Sequence, residues 1–194
     1  MVLGAWDFIR LTKGRCPKCG VQLTHFHKWA MYFLMAVGVW NFVGAGVFGF
    51  LINLPIVSYF QVGTTLTPNH GHAAMFGVFG MLALAVVVFC MRSMQNDEAW
   101  KVNEKYFRVG FWGLNIGLGL MVVLDLFPGG VLQLWDCINN GYWHCRSLAY
   151  TMSGPFHALE WVRLVGDATF IVLGVIPFTI GTVRSLARRD AAHA

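Results

Sequence analysis

The chain alternates long apolar stretches with short polar ones. Residues 29–54, 68–91, 106–127 and 156–183 are apolar over lengths that meet the roughly 20 residues a helix needs to cross a bilayer. Turn formers or charges bound each of them: Pro55 after the first, Arg92 and Asn96-Asp97-Glu98 after the second, Pro128-Gly129-Gly130 after the third, and Ser153-Gly154-Pro155 before the fourth. The pattern predicts an all-α fold, a polytopic membrane helix bundle with four full transmembrane helices. Residues 1–11 are amphipathic and run into Thr12-Lys13-Gly14-Arg15, which reads as a helical stub whose beginning lies before Met1. Residues 131–153 are too polar to span and carry Trp135, Tyr142, Trp143 and Tyr150, which predicts a segment lying along the membrane surface. Residues 1–194 read as a single membrane domain.

Candidate chemistry sits at the start of the second span, Thr67-Pro68-Asn69-His70-Gly71-His72. Thr67 suits an N-cap and Pro68 the first helical position, so the helix is expected to begin at Pro68 with both imidazoles in its first turns. No charged side chain follows from Ala73 to Met91, 19 residues that span roughly 28 Å as a helix. Two residues on a helix differ by about 200°, so His70 and His72 point to nearly opposite sides and cannot chelate one ion together. The positive end of the helix dipole disfavours protonation there and keeps the rings available as neutral donors to a metal. Gly71, Ala73, Ala74 and Gly77 leave room for a flat macrocycle on each face. The alternative is a pair of interfacial histidines bonded to water or headgroups. The stripe of Met75, Phe76, Phe79 and Met81 reads as cofactor wall or as core.

The other spans carry fewer signals. Asn41, mid-membrane in the first, is expected to face protein, and Gly113 with Gly117 in the third forms a small-residue contact pair. In the fourth, Glu160, Arg163 and Asp167 fall at i, i+3 and i+7, three charges along one face. Charges inside a membrane need partners, so the face predicts either an internal network or a ligand site. A bend is expected near Pro177.

Composition agrees with a membrane protein: 57% of residues are hydrophobic and 12% charged, against about 25% charged in soluble domains. The net charge of +5 resides in loops, so it reports topology and implies no nucleic acid partner. Lys13, Arg15, Lys18 and Lys28 precede the first span, Arg92, Lys101, Lys105 and Arg108 follow the second, and Arg184, Arg188 and Arg189 follow the fourth, whereas the remaining loops hold only Arg146. Those three regions are expected in the cytoplasm, which puts the histidines at the outer end of the second span. Cys137 and Cys145 then lie outside, where a disulfide can persist, and Cys90 stands alone in the membrane. Cys16 and Cys19 form a CxxC knuckle followed by His25 and His27, a candidate zinc set or a pair of reduced thiols.

The stretch AGVFGFLINLPIVSYFQVGTTLTPNHGHAAMFGVFGMLALAVVVFCMR at residues 45–92, together with WGLNIGLGLMVVLDLFPGGVLQLWD, GYWHCRSL and LEWVRLVGD, resembles the catalytic subunit of bacterial nitric oxide reductase, particularly its quinol-dependent type, in the haem-copper oxidase superfamily. The resemblance implies haem b in two forms, with His70 as ligand of the high-spin haem and His72 as one axial ligand of the low-spin haem. It implies that Asp167 matches a carboxylate near quinol, that the location is the bacterial inner membrane with lipid around the chain, and that the reaction is reduction of nitric oxide to nitrous oxide. In that family a non-haem iron is held by three histidines and a glutamate on earlier helices, and the second low-spin ligand is also earlier. No counterpart is found here: His25, His27, His144 and His193 fall in loops or the tail, and His157 at a span's rim. The chain is therefore expected to be the C-terminal portion of such a subunit, completed by missing N-terminal helices, in the same polypeptide or as a separate chain. The alternative is a non-catalytic haem-binding module or a truncated remnant. The oxygen-reducing branch fits less well, because its tyrosine and proton-channel signatures are not evident.

Overall fold

The computed structural model describes residues 27–190. The stub at 1–11, Cys16, Cys19, His25 and His193 lie outside them. Every regular element among the described residues is helical, and four helices are long and apolar enough to cross a membrane: Lys28–Asn53, Leu66–Ser93, Asp97–Asn140 and Gly154–Ala187. The chain is a multi-pass, all-α membrane helix bundle.

The second helix begins at Leu66, two residues before the expected start, with Thr65 at the N-cap. Thr67 does not cap it. Its hydroxyl donates instead to Gln61 Oε1 at 2.9 Å, a bond to the linker that precedes the helix.

The third helix departs most from expectation. Pro128 was expected to end it, and residues 131–153 to lie on the surface, yet the helix continues unbroken through Pro128-Gly129-Gly130 to Asn140. The turn before the proline, Val122–Leu126, is widened to π geometry. Widening relieves the clash between a proline ring and the carbonyl four residues earlier, so the helix passes the proline rather than breaking at it. At 44 residues it is roughly 66 Å long, twice the hydrocarbon thickness, and its last turns project beyond the apolar layer. Gly141, at φ 99°, ends it in a conformation that side chains with a Cβ rarely adopt. Only the stretch after it, with a short helical turn at His144–Arg146 and Leu148–Thr151, remains as a separate segment. The fourth helix is likewise widened at Phe170–Val175, just before Pro177.

Small residues set how closely the helices approach. A Cβ on Gly44 would lie 2.7 Å from that of Ala73, and one on Gly77 would lie 2.6 Å from Trp40 Cβ, so the first two spans touch along this seam. The expected pair in the third span also works by contact: Gly113 faces the Leu173 backbone and Gly117 faces Phe170. One aromatic core draws on all four spans, with Phe33, Met81, Phe107, Phe111 and Phe178 buried together. Phe33 meets Phe111 edge-on at 5.0 Å and Phe107 meets Phe178 at 5.4 Å. Asn41 does not join it. It is exposed on the outside of the described bundle.

Candidate functional site

His70 and His72 are both partly buried, and each commits the same ring atom to a backbone carbonyl. His70 Nδ1 lies 2.8 Å from the Gly44 carbonyl oxygen, on the first span. His72 Nδ1 lies 2.8 Å from the Pro68 carbonyl oxygen, one turn back on its own helix. A carbonyl oxygen can only accept, so in each ring Nδ1 carries the hydrogen, and the neutral imidazole keeps its lone pair on Nε2. Neither Nε2 has a hydrogen-bond partner among the described residues. This is the arrangement metal-ligating histidines adopt, with one nitrogen fixed by an acceptor and the other left basic.

The two rings serve different neighbours. His70 sits over Gly49, whose Cβ would come within 3.0 Å of His70 Cε1. His72 lies within electrostatic reach of Asp125 on the third span. No three His, Cys, Asp or Glu side chains among the described residues gather to hold one bare ion. One imidazole per site fits a haem, whose macrocycle supplies the other donors to iron. Among the zinc candidates only His27 is described; its ring stacks on Phe89 at 4.1 Å, and burial, then the nearby Arg92 charge, hold its basicity below the ordinary value.

The charged face of the fourth span opens towards the same region. Arg163 Nε lies 3.3 Å from Asp167 Oδ2 and 4.0 Å from Asp125 Oδ2. Glu160 is exposed and makes no ion pair among the described residues. Asp125 is the residue that sequence reasoning passed over: its side chain is 1% exposed, and neither carboxylate oxygen accepts a hydrogen bond. The signal was present as a lone acid in the apolar run Val122-Val123-Leu124-Asp125-Leu126. Thr65 Oγ1 and Asn69 Oδ1 are also buried without a partner. A Cβ placed on Gly129 would lie 3.2 Å from Thr65 Oγ1 and 3.8 Å from Asp125 Oδ1, so that glycine leaves a polar gap between the two spans.

Beyond Asp125 the third helix carries the bonds that close this end of the bundle. Cys137 and Cys145 form a disulfide, the pairing their common side of the membrane allowed. Asp136 Oδ2 lies 2.7 Å from His144 Nδ1, and burial, then the Asp136 charge, push the Tyr150 hydroxyl above its ordinary value. His157 accepts from Trp161 Nε1 at 3.0 Å and stays at the rim of the fourth span.

Residues 19–169 match the family described as Cytochrome C and Quinol oxidase polypeptide I. That match contains both histidines, Asp125, Arg163 and Asp167. The chain is also 33% identical, over 113 residues, to a nitric oxide reductase subunit from Stutzerimonas stutzeri. The aligned region covers 57% of this chain and 24% of that relative, so the chain spans about a quarter of the relative's length.

Proposed function

Because the chain belongs to the haem-copper oxidase subunit I family, a family of membrane oxidoreductases, we propose that it is the haem-binding C-terminal portion of a nitric oxide reductase. His70 would hold the high-spin haem b and His72 the low-spin haem b. The observation that carries this reading is the shared state of the two rings, each with Nδ1–H given to a carbonyl and Nε2 left open, on opposite sides of one helix. The relative named as a nitric oxide reductase subunit supports the substrate.

When bound, haem iron supplies one-electron transfer and a place for a gaseous ligand. This chain's residues do the holding. The Gly44 carbonyl orients His70 from another helix, and Gly49 makes the space for its ring. The Pro68 carbonyl orients His72 within its own turn. Asp167, held beside Arg163 and partly exposed on the fourth span, would accept the proton of a quinol hydroxyl. The overall reaction is two nitric oxide molecules, two electrons and two protons giving nitrous oxide and water. Non-haem iron and the second axial ligand of the low-spin haem would come from N-terminal helices, in the same polypeptide or a separate chain, packed in the bacterial inner membrane.

A second reading, a haem-binding module without catalysis, rests on the described residues offering one imidazole per haem. The two readings separate on purification with native lipids, a reduced-minus-oxidised haem spectrum, and mass spectrometry of any chain that copurifies. Nitric oxide reductase requires both haem signals and turnover of nitric oxide. His72→Ala is expected to remove the low-spin spectrum and leave the high-spin site able to bind a gas, and His70→Ala to do the reverse. Unchanged spectra in both variants would overturn the haem assignment.

A further inference from the structure

Gln133 stands between the histidine helix and the loop that leaves the third span. It is buried, on the part of the third helix beyond Pro128. Its Oε1 accepts the backbone N–H of Thr65 at 2.7 Å, and its Nε2 donates to the Cys145 carbonyl at 3.2 Å. Thr65 is the N-cap of the histidine helix, and its N–H belongs to the helix end where donors lack partners within the helix. The Thr65 hydroxyl makes no cap of its own. A side chain from another helix therefore holds the place where this helix begins.

The far end of that bridge is itself held. Cys145 is fully buried and joined to Cys137, which lies one turn after Gln133 on the same helix. Arg146, the next residue, donates to the carbonyls of Phe60, Val62 and Tyr142, and its guanidinium covers the Tyr142 ring at 3.7 Å. The linker between the first two spans is thus gripped at Phe60 and Val62 by Arg146 and at Thr65 by Gln133, two residues that flank the disulfide-closed loop.

We propose that Gln133 is a positioning residue for His70 and His72, and that the Cys137–Cys145 disulfide locks it by fixing the carbonyl it holds. The bridge to Thr65 stands on its own geometry; what it positions rests on the haem reading above. A shift of Thr65 displaces the two turns that carry both histidines. Opening the disulfide frees the Cys145 carbonyl, and with it the grip of Gln133 on the helix start.

The test uses the full-length protein in native lipid, with hydrogen exchange of the Thr65 amide and the low-spin haem spectrum as separate readouts. The variant is Gln133→Met, which keeps the volume and removes both bonds. The reversible perturbation is a membrane-impermeant phosphine: it gives two electrons to the S–S bond, takes oxygen from water to become the phosphine oxide, and the two protons of that water end on the thiols. Reduction in the parent protein, and Gln133→Met without reduction, should each speed Thr65 exchange about fivefold, the worth of one hydrogen bond, and shift the haem band. Reduction of Gln133→Met should add nothing further, because the connection is already cut. A reduction effect as large in Gln133→Met as in the parent would overturn the proposal, as would an unchanged Thr65 rate in that variant. Faster exchange with an unmoved haem band would show a bridge that positions no ligand. Absence of haem from the parent protein would instead overturn the proposed function, while the exchange arm still reports on the bridge.

Discussion

The half of the bundle around Phe33, Phe107 and Phe178 is filled with packed aromatic rings, whereas the half around Thr65, Asp125 and Gln133 is joined by carbonyls, the Gln133 amide and the guanidiniums of Arg146 and Arg163. The first is held by area and shape, which are tolerant in direction. The second is held by bonds with fixed donors and acceptors, and the histidines belong to it. A lesion in the aromatic half should weaken the whole bundle and leave ligand geometry alone. A lesion in the polar half should cost less in stability and disturb ligand geometry.

The largest effect is expected from Phe107→Ala. The ring is fully buried and contacts both Trp100 and Phe178, so its removal leaves a cavity and should cost about 4 kcal/mol. Thermal unfolding in lipid should show the loss, while the haem spectrum of the protein that remains folded should match the parent. A changed spectrum would mean that the two halves are not separable.

Arg163→Leu attacks the polar half directly. It leaves Asp125 buried with no cation beside it, whereas Asp167, partly exposed, can turn to water. Arg163 is 34% exposed, so the loss falls between that of a buried pair and a surface pair, about 2 kcal/mol. Adding Asp125→Leu should recover most of it, because a neutral side chain no longer needs a partner. Failure of that second change to restore thermal stability would show that Asp125 is solvated by some other route.

The contrast between the halves explains what the sequence disclosed. Span positions were legible because each is a long apolar run, and a close helix contact at Gly113 and Gly117 followed from their spacing, whereas its partner on the fourth span came from the fold. Pro128 misled, because its effect depends on the widened turn at Val122–Leu126, and a π turn leaves no mark in composition. In the charged face, Asp125 was hidden for a different reason: it lies on another helix from Arg163, and sequence spacing relates residues only within a helix. The carbonyls of Gly44 and Pro68 were equally out of reach, since every residue has one and only the fold selects which faces an imidazole.

A smaller loss is expected from Trp40→Phe, in the seam between the halves. Trp40 Nε1 donates to Asn115 Oδ1 at 3.0 Å, joining the first and third spans, and Phe stays aromatic but drops the donor along with the second ring. The hydrogen bond's share of the loss should be about 1 kcal/mol in thermal stability. Asn115 Nδ2 also donates to the Phe111 carbonyl, so the amide stays ordered and Asn115→Leu in the same background should add less than it does alone. Full additivity of the two changes would remove the bond from the account.

Gly49→Ala should barely register in stability yet move one ligand and spare the other. The added Cβ would lie 3.0 Å from His70 Cε1, tighter than ordinary contact, so the ring must yield by a few tenths of an ångström, and the bond from Nδ1 to the Gly44 carbonyl must bend with it. His72 takes its carbonyl from its own helix and should feel nothing. On the proposed assignment of the two histidines, the high-spin haem band should therefore shift while the low-spin band stays in place. Equal shifts of the two bands in Gly49→Ala would mean that the second span moves as a rigid body, and that the anchoring of His70 to the first span is not what sets its place.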